Sequence, residues 1–435
     1  MRKYRKRRNR RFYFLYQRKY KRFTRKLRKA IRSTQIEYSN LPVYIIIFLT
    51  VIFRLFLYFF GQHDITLTFL GIPRLPIVLI PISDYADYIG SVQWLNNNYS
   101  DIFEKSVNIY DCQLCVTHQK TNKYRSNEHD LVLTCLFGII VSSLNFVRTL
   151  RSANCKATIV IFTDDKCQNK LNEYMKNIFQ NCGVNWINLG EIGEKYITSI
   201  NSMRMVLFYG FLKKVQTKVN RVMIVDMTDT YFQMDPFTDD VYSDSLILTL
   251  ENQVFLSGTI NEKWLAKILK LTNELEYLSD FDDRYVINNG FLIGGIYPVL
   301  KFYSIILDLP QFVNYSRGFN DQAIVNYMYY FDLLKGINVI LSPIGGIYQS
   351  LTACDSITDI DEDTHTISIY GTKLAVLHQF DRTCENIQNS IMFCPKESNL
   401  HLEAYSEVRY SFERLCENID KNLTRKDLYP DDIPD

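Results

Sequence analysis

The sequence predicts an α/β protein in which a mostly parallel sheet is flanked by helices, carried behind an N-terminal membrane helix and a stem. Three observations predict it. From about Asn127 onward, short apolar runs alternate with helical patterns of roughly 10–15 residues, the signature of βαβ units. The run Val222–Val225 has no polar relief, as expected of a strand covered on both faces. Leu41–Phe60 is 20 residues long and carries one charge, Arg54, which suits a single bilayer crossing.

Residues 1–40 hold 17 of the chain's 50 Lys and Arg and one of its 47 Asp and Glu, so a tail of about +16 precedes a body of about −13. Such a tail, with Tyr4, Phe12, Tyr13, Phe14, Tyr16 and Tyr20 among its cations, could bind nucleic acid, but the apolar stretch that follows argues for a cytosolic tail instead. By the positive-inside rule the residues after Phe60 lie across the membrane, a type II topology. Arg54 weakens the span, at about 2.5–3.5 kcal/mol on insertion scales. A secretory signal peptide fits less well, because the charged region is too long and no small-residue cleavage site precedes Gly61.

Residues 61–127 read as a stem. Pro73, Pro76 and Pro81 exclude a second membrane helix in Phe69–Ile82. All ten cysteines follow Phe60 and fall on the side where structural disulfides form. Cys112-x-x-Cys115 lacks the second pair a zinc site needs. The sequons at Asn98, Asn314 and Asn422 agree with that topology, in a Golgi or endoplasmic reticulum membrane.

The remaining elements fall in residues 128–435. Leu131–Phe137 reads as a strand, Ile140–Leu150 as a helix, Ala157–Phe162 as a strand and Cys167–Gln180 as one helix. Val184–Leu189 is a short strand, and Asn201–Val215 a helix leading to the strand before Asp226. Ser245–Leu250 reads as a strand and Ile260–Leu271 as a helix. Asp164 and Asp165 fit a helix N-cap better than a ligand site. His401–Cys416 reads as a terminal helix.

Asp226 follows a buried strand, where open α/β sheets collect their ligands. Asp229 comes three residues later, and a turn after Asp226 brings the two carboxylates together into an oxygen-rich site for Mn²⁺ or Mg²⁺. The alternative is that both only cap the turn. Asn288, Asn289 and Gly290 precede Gly294 and Gly295 in an apolar run, a sign of close approach by a ligand or another backbone, unless Asn289-Gly290 turns a hairpin. Asn320 or Asp321 can cap the helix that begins near Gln322. His378 ends the apolar run Leu374–Leu377, as a metal ligand or as a satisfied structural histidine.

These segments resemble, in order, those of glycosyltransferases with the GT-A fold, the Rossmann-like fold of nucleotide-sugar enzymes. The resemblance spans about residues 128–385 and lies closest to a subgroup reading Asp-x-x-Asp, with Phe232-Gln233 and Pro236-Phe237 following; Thr228 stands where the commoner Asp-x-Asp pattern has its second Asp. The resemblance implies transfer of a sugar from a nucleoside-diphosphate sugar to a hydroxyl on a glycan, glycoprotein or lipid. It implies Asp226, Asp229 and His378 as metal ligands. Asn289 and Gly290 would line the donor and acceptor pocket, and Arg204 and Arg382 would approach the diphosphate, unless Arg204 faces solvent and Arg382 pairs with a carboxylate. Asp321 and Gln322 resemble the segment beside the anomeric carbon in retaining members, glycogenin and bacterial galactosyltransferases among them; Asp321 as a base would instead give inversion. A haloacid-type phosphatase needs an Asp at position 228. A scaffold or lectin-like protein of the same fold is the non-catalytic alternative.

Overall fold

A computed structural model of the chain describes residues 93–104, 112, 114–115, 125–138, 143–192, 200–256, 258–309, 321–354, 356–361, 363–364 and 366–380. All belong to one of the chain's two contact units, Ile77–Asp435. No helix among the described residues is long and apolar enough to cross a membrane. The basic tail, Leu41–Phe60, Arg382, Asn314, Asn422 and residues 401–435 lie outside them.

A seven-stranded sheet runs in the order β3-β2-β1-β4-β7-β6-β8. Its strands are β1 (Asp130–Leu136), β2 (Thr158–Thr163), β3 (Val184–Asn188), β4 (Arg221–Val225), β6 (Ser245–Val254), β7 (Tyr285–Gly295) and β8 (Asn338–Ser342). Strands β3, β2, β1 and β4 are parallel. β7 runs against both its neighbours, β4 and β6, while β6 and β8 are parallel. The sheet is therefore mostly parallel, as the alternating pattern predicts.

Helices connect the parallel strands: α1 (Ser143–Ser152), then α2 (Asp165–Lys170) with α3 (Glu173–Asn181), then α4 (Ile200–Val215). Three more follow, α5 (Ile260–Leu271), α6 (Ile296–Asp308) and α7 (Asp321–Tyr330). The two-residue period of the strands splits the core in two. Leu131, Leu133, Val222 and Ile224 face one way, onto a cluster with Phe208 and Phe211 of α4 and Phe302 and Ile306 of α6. Val132, Met223 and Val225 face the other, with Phe146 of α1 and Phe179 of α3. β4 is thus covered on both faces.

The helix expected over Cys167–Gln180 is two helices. Leu171 is extended, and Asn172 starts α3 by accepting the Met175 N–H at 2.9 Å. β6 extends beyond Leu250 to Val254. Asn289-Gly290 turns no hairpin, because β7 is continuous through it.

Trp94 and Phe103, inside the segment expected as stem, are buried in the main core. Trp94 packs edge-on against Phe162 at 5.1 Å, and Tyr99 against Phe211 at 5.2 Å. They help cover α4, an apolar helix on nearly every side, which must be buried all round. Cys112 is bonded to Cys182 at the end of α3, closing a sequence separation of 70, a link worth about 4 kcal/mol by chain entropy. Cys115 is also disulfide-bonded, so the Cys-x-x-Cys pair is structural.

A second, three-stranded sheet pairs β5 (Thr230–Phe232), β13 (Val376–His378) and β9 (Tyr348–Ser350) in the order β5-β13-β9. A third joins β10 (Thr358–Ile360), β11 (Ile367–Ile369) and β12 (Thr372–Lys373). The β5-β13-β9 sheet carries His378 to the end of β4.

Candidate metal centre

β4 ends at Val225, and the chain turns through Asp226–Asp229 before β5 begins. That turn places both carboxylates on one side, where an extended strand would have separated them. β13 pairs antiparallel with β5, with His378 opposite Thr230, the residue after Asp229. The Phe380 N–H closes the corner by donating to the Asp229 carbonyl at 3.3 Å.

His378 Nε2 consequently lies 3.4 Å from Asp229 Oδ1 and 3.7 Å from Asp226 Oδ2. The three residues can each offer one ligand atom within a shared 4.8 Å. Bonds of about 2.1 Å to a small divalent cation allow two ligand atoms to lie up to roughly 4.2 Å apart. Both histidine contacts fall inside that limit.

Two observations test whether an ion fits. The side chain of His378 is 2% exposed, and neither ring nitrogen makes a hydrogen bond among the described residues. Buried polar atoms without hydrogen bonds are costly, and Nε2 has only the two nearby carboxylates to face. Secondly, a Cβ built on Gly290 would strike the His378 ring and come within 2.7 Å of Asp226 Oδ2, so the centre requires glycine at that position. Burial alone would lower the His378 imidazole, but Asp229 and Asp226 override it and hold it up to about 9. Two carboxylates around one imidazole call for positive charge, which a proton on the imidazole or a divalent cation would supply. The donor set of two carboxylates and an imidazole fits Mn²⁺, and Mg²⁺ less well.

The other side of Asp226 belongs to Arg204 of α4. Its Nη1 bonds Asp226 Oδ1, while Nη2 and Nε, the latter at 3.1 Å, bond Asp321 Oδ2. The guanidinium therefore faces the two carboxylates, not solvent. Burial opposes its charge, but the two carboxylates hold it protonated, well above the usual arginine value. Asn289 Nδ2 donates to the same Asp321 oxygen at 2.8 Å, and the Gln322 N–H donates to the other at 2.9 Å. Cys135, at the end of β1, adjoins this group, and burial pushes its thiol up to about 12.

Asn289 and Gly290 reach Asp321, Asp226 and His378 through an irregularity in β7. Against β6, Leu248 pairs with Leu292 but the next residue, Thr249, pairs with Asn288, so residues 289–291 bulge. Gly290 keeps its bond to β4, its carbonyl accepting the Asp226 N–H at 2.8 Å. Bulges of this kind recur beside active sites, where they re-aim the chain.

Asp321 is the first residue of α7, and its carboxylate turns to Arg204 and Asn289. The Gln322 side-chain NH₂ turns toward Glu251, and its Oε1 accepts the Asn289 N–H at 3.4 Å. Asp164 caps α2, accepting the Cys167 N–H at 2.8 Å and the Gly138 N–H at 3.1 Å; Asp165 accepts from Asn188. Neither joins the centre. Sequence reasoning missed the buried Glu251 and Asn261, which meet Asn288 and the half-buried Gln322 in one hydrogen-bonded group. The signal was present: Glu251 ends an apolar run as Asp226 does. A scan against protein-family models and a search of curated proteins return no match for this chain.

Proposed function

We propose that this chain is a metal-dependent glycosyltransferase of GT-A type, moving a sugar from a nucleoside-diphosphate donor to a hydroxyl acceptor. The observation that carries the reading is the convergence of Asp226, Asp229 and His378, with the imidazole buried and making no hydrogen bond, at the carboxyl end of a parallel strand. Asp226, Asp229 and His378 would hold Mn²⁺ or Mg²⁺. Such an ion neutralises charge growing on a leaving diphosphate.

Arg204 supplies a second, permanent positive charge beside Asp226. Asp321 accepts from Arg204, Asn289 and the Gln322 N–H, so its carboxylate is already committed to bonds within the protein. This supports retention of configuration over inversion, since an inverting enzyme needs a carboxylate with an acceptor-facing lone pair. Gln322 then supports the transferred sugar, and Asp321 holds Arg204 and Asn289 in place. The reading includes the single-pass anchor at residues 41–60, a lumenal catalytic body in the Golgi or endoplasmic reticulum, and a glycan, glycoprotein or lipid acceptor.

The test uses the purified full chain with a panel of UDP- and GDP-sugars, titrated with Mn²⁺. Nucleotide binding and sugar release that both require Mn²⁺ are expected. Metal-independent binding, or none, would leave a non-catalytic scaffold or lectin-like protein.

A further inference from the structure

Glu251 lies in β6 with 2% of its surface exposed, and nothing in the proposed reaction uses it. Among the described residues four side-chain amides donate to it. Asn288 Nδ2 donates to Oε1 at 2.8 Å and Gln322 Nε2 to the same oxygen at 3.1 Å. Gln253 Nε2 and, at 3.5 Å, Asn261 Nδ2 donate to Oε2. A carboxylate can only accept, so each amide must turn its NH₂ toward Glu251.

That requirement propagates. Asn261, having turned its NH₂ to Glu251, has its Oδ1 left for the second N–H of Gln322, at 2.9 Å. Both hydrogens of the Gln322 amide are thereby spent on Glu251 and Asn261. Its Oε1 is forced to the opposite side, facing the Asn289 N–H at 3.4 Å, where Asn289 and Arg204 hold Asp321. Asn288 extends the chain the other way, lying 3.5 Å from Gln379 Oε1. Gln379 follows His378 with a φ of 59°, a left-handed conformation held by Ser350 and Thr352.

We propose that Glu251 is a positioning residue, which sets the end of the Gln322 amide that faces the transferred group. This deepens the glycosyltransferase reading and rests on it. With Oε1 on the side of Asn289 and Asp321, the amide would place partial negative charge where, in the proposed reaction, a sugar carbon becomes electron-poor as its bond to phosphate breaks. Flipped, it would present N–H groups there and oppose that charge. A neutral, isosteric Glu251→Gln can donate as well as accept, so it permits the flip.

The experiment is a double-mutant cycle in the full chain with Mn²⁺ and the nucleotide sugar that the panel selects. E251Q is expected to lower kcat about a hundredfold, the scale of a misplaced catalytic group. The Kd for UDP with Mn²⁺ is expected to stay within about threefold, since ground-state binding is not at issue. In a Gln322→Ala background the same change is expected to cost nothing further. Additive losses in the two backgrounds, or a fall in kcat matched by an equal loss of UDP binding, would overturn the proposal. If the unsubstituted chain turns over no nucleotide sugar, the enzymatic reading fails on its own. The melting-temperature cycle of the same two changes in the metal-free protein tests the Glu251–Gln322 bond by itself: additivity there overturns the proposal even where the enzymatic reading holds.

Discussion

Arg204 and His378 stand on opposite sides of Asp226 and are satisfied in different ways. Arg204 spends its donors on Asp226 Oδ1 and Asp321. His378 faces Asp226 Oδ2 and Asp229 at 3.7 and 3.4 Å, but its ring nitrogens make no hydrogen bond among the described residues. On one side, then, the positive charge is part of the chain and always present. On the other it must arrive, as a proton or as a metal ion. One carboxylate joins a prebuilt half to a half that calls for a cation.

The largest effect should come from removing that shared carboxylate. Asp226→Asn is expected to cut Mn²⁺-dependent sugar release on the order of a thousandfold, the scale of losing an electrostatic stabiliser. Metal-free stability should change little by comparison, because Arg204 keeps Asp321. Isothermal titration with Mn²⁺ and a urea melt separate the two, and activity close to that of the unsubstituted chain would remove Asp226 from the centre. Arg204→Met strikes the prebuilt half. It leaves Asp321 buried without its cation, at a cost of about 3 kcal/mol, the low end for a broken buried pair. Asp226 takes less of that penalty because its side chain is 31% exposed. The loss should appear in urea melts with or without Mn²⁺; a loss erased by Mn²⁺ would mean the two halves are not separate.

Much of this division could be read from the sequence, for a local reason. Val222–Val225 is apolar throughout, so a buried strand followed by a carboxylate was visible without any tertiary contact. The pairing of His378 with the residue after Asp229 was not. It depends on β13 and β5, short strands that lie far apart in sequence and meet through tertiary packing. The group around Glu251 escaped for the same reason. Asn261, Asn288 and Gln322 come from α5, β7 and α7, and no periodicity marks residues that share a hydrogen bond only after the sheet forms. Asn289-Gly290 was open to two readings because the dipeptide itself favours a turn; pairing with β4 on one side and a bulge toward β6 on the other keep it in the strand.

Gly290→Ala is a smaller disturbance, confined to the half that calls for a cation. The new methyl would meet the His378 ring and Asp226 Oδ2, pushing ligands apart without removing any. Mn²⁺ affinity should fall about 10- to 100-fold, as for a disturbed ligand support. Stability should fall by about 1–3 kcal/mol, the usual cost of overpacking. The three atoms nearest the methyl belong to His378 and Asp226, so unchanged Mn²⁺ binding in this variant would mean that His378 does not reach the ion.

The mildest test uses pH. In the metal-free protein His378 is held up to about 9, above the ordinary imidazole value near 6.5. A group whose folded value is raised binds its proton more tightly when folded. Its contribution to stability is therefore fully present below about 6.5 and is lost as pH rises through 9. The metal-free chain should accordingly lose a few degrees of melting temperature across that window relative to His378→Asn, which has no such proton to lose. Mn²⁺ competes for the same site, so its stabilisation should grow over the same window as the proton leaves. Parallel melting curves for the chain and His378→Asn across that range would mean that the two carboxylates do not share their charge with this imidazole, and the contrast with Arg204 would lose its basis.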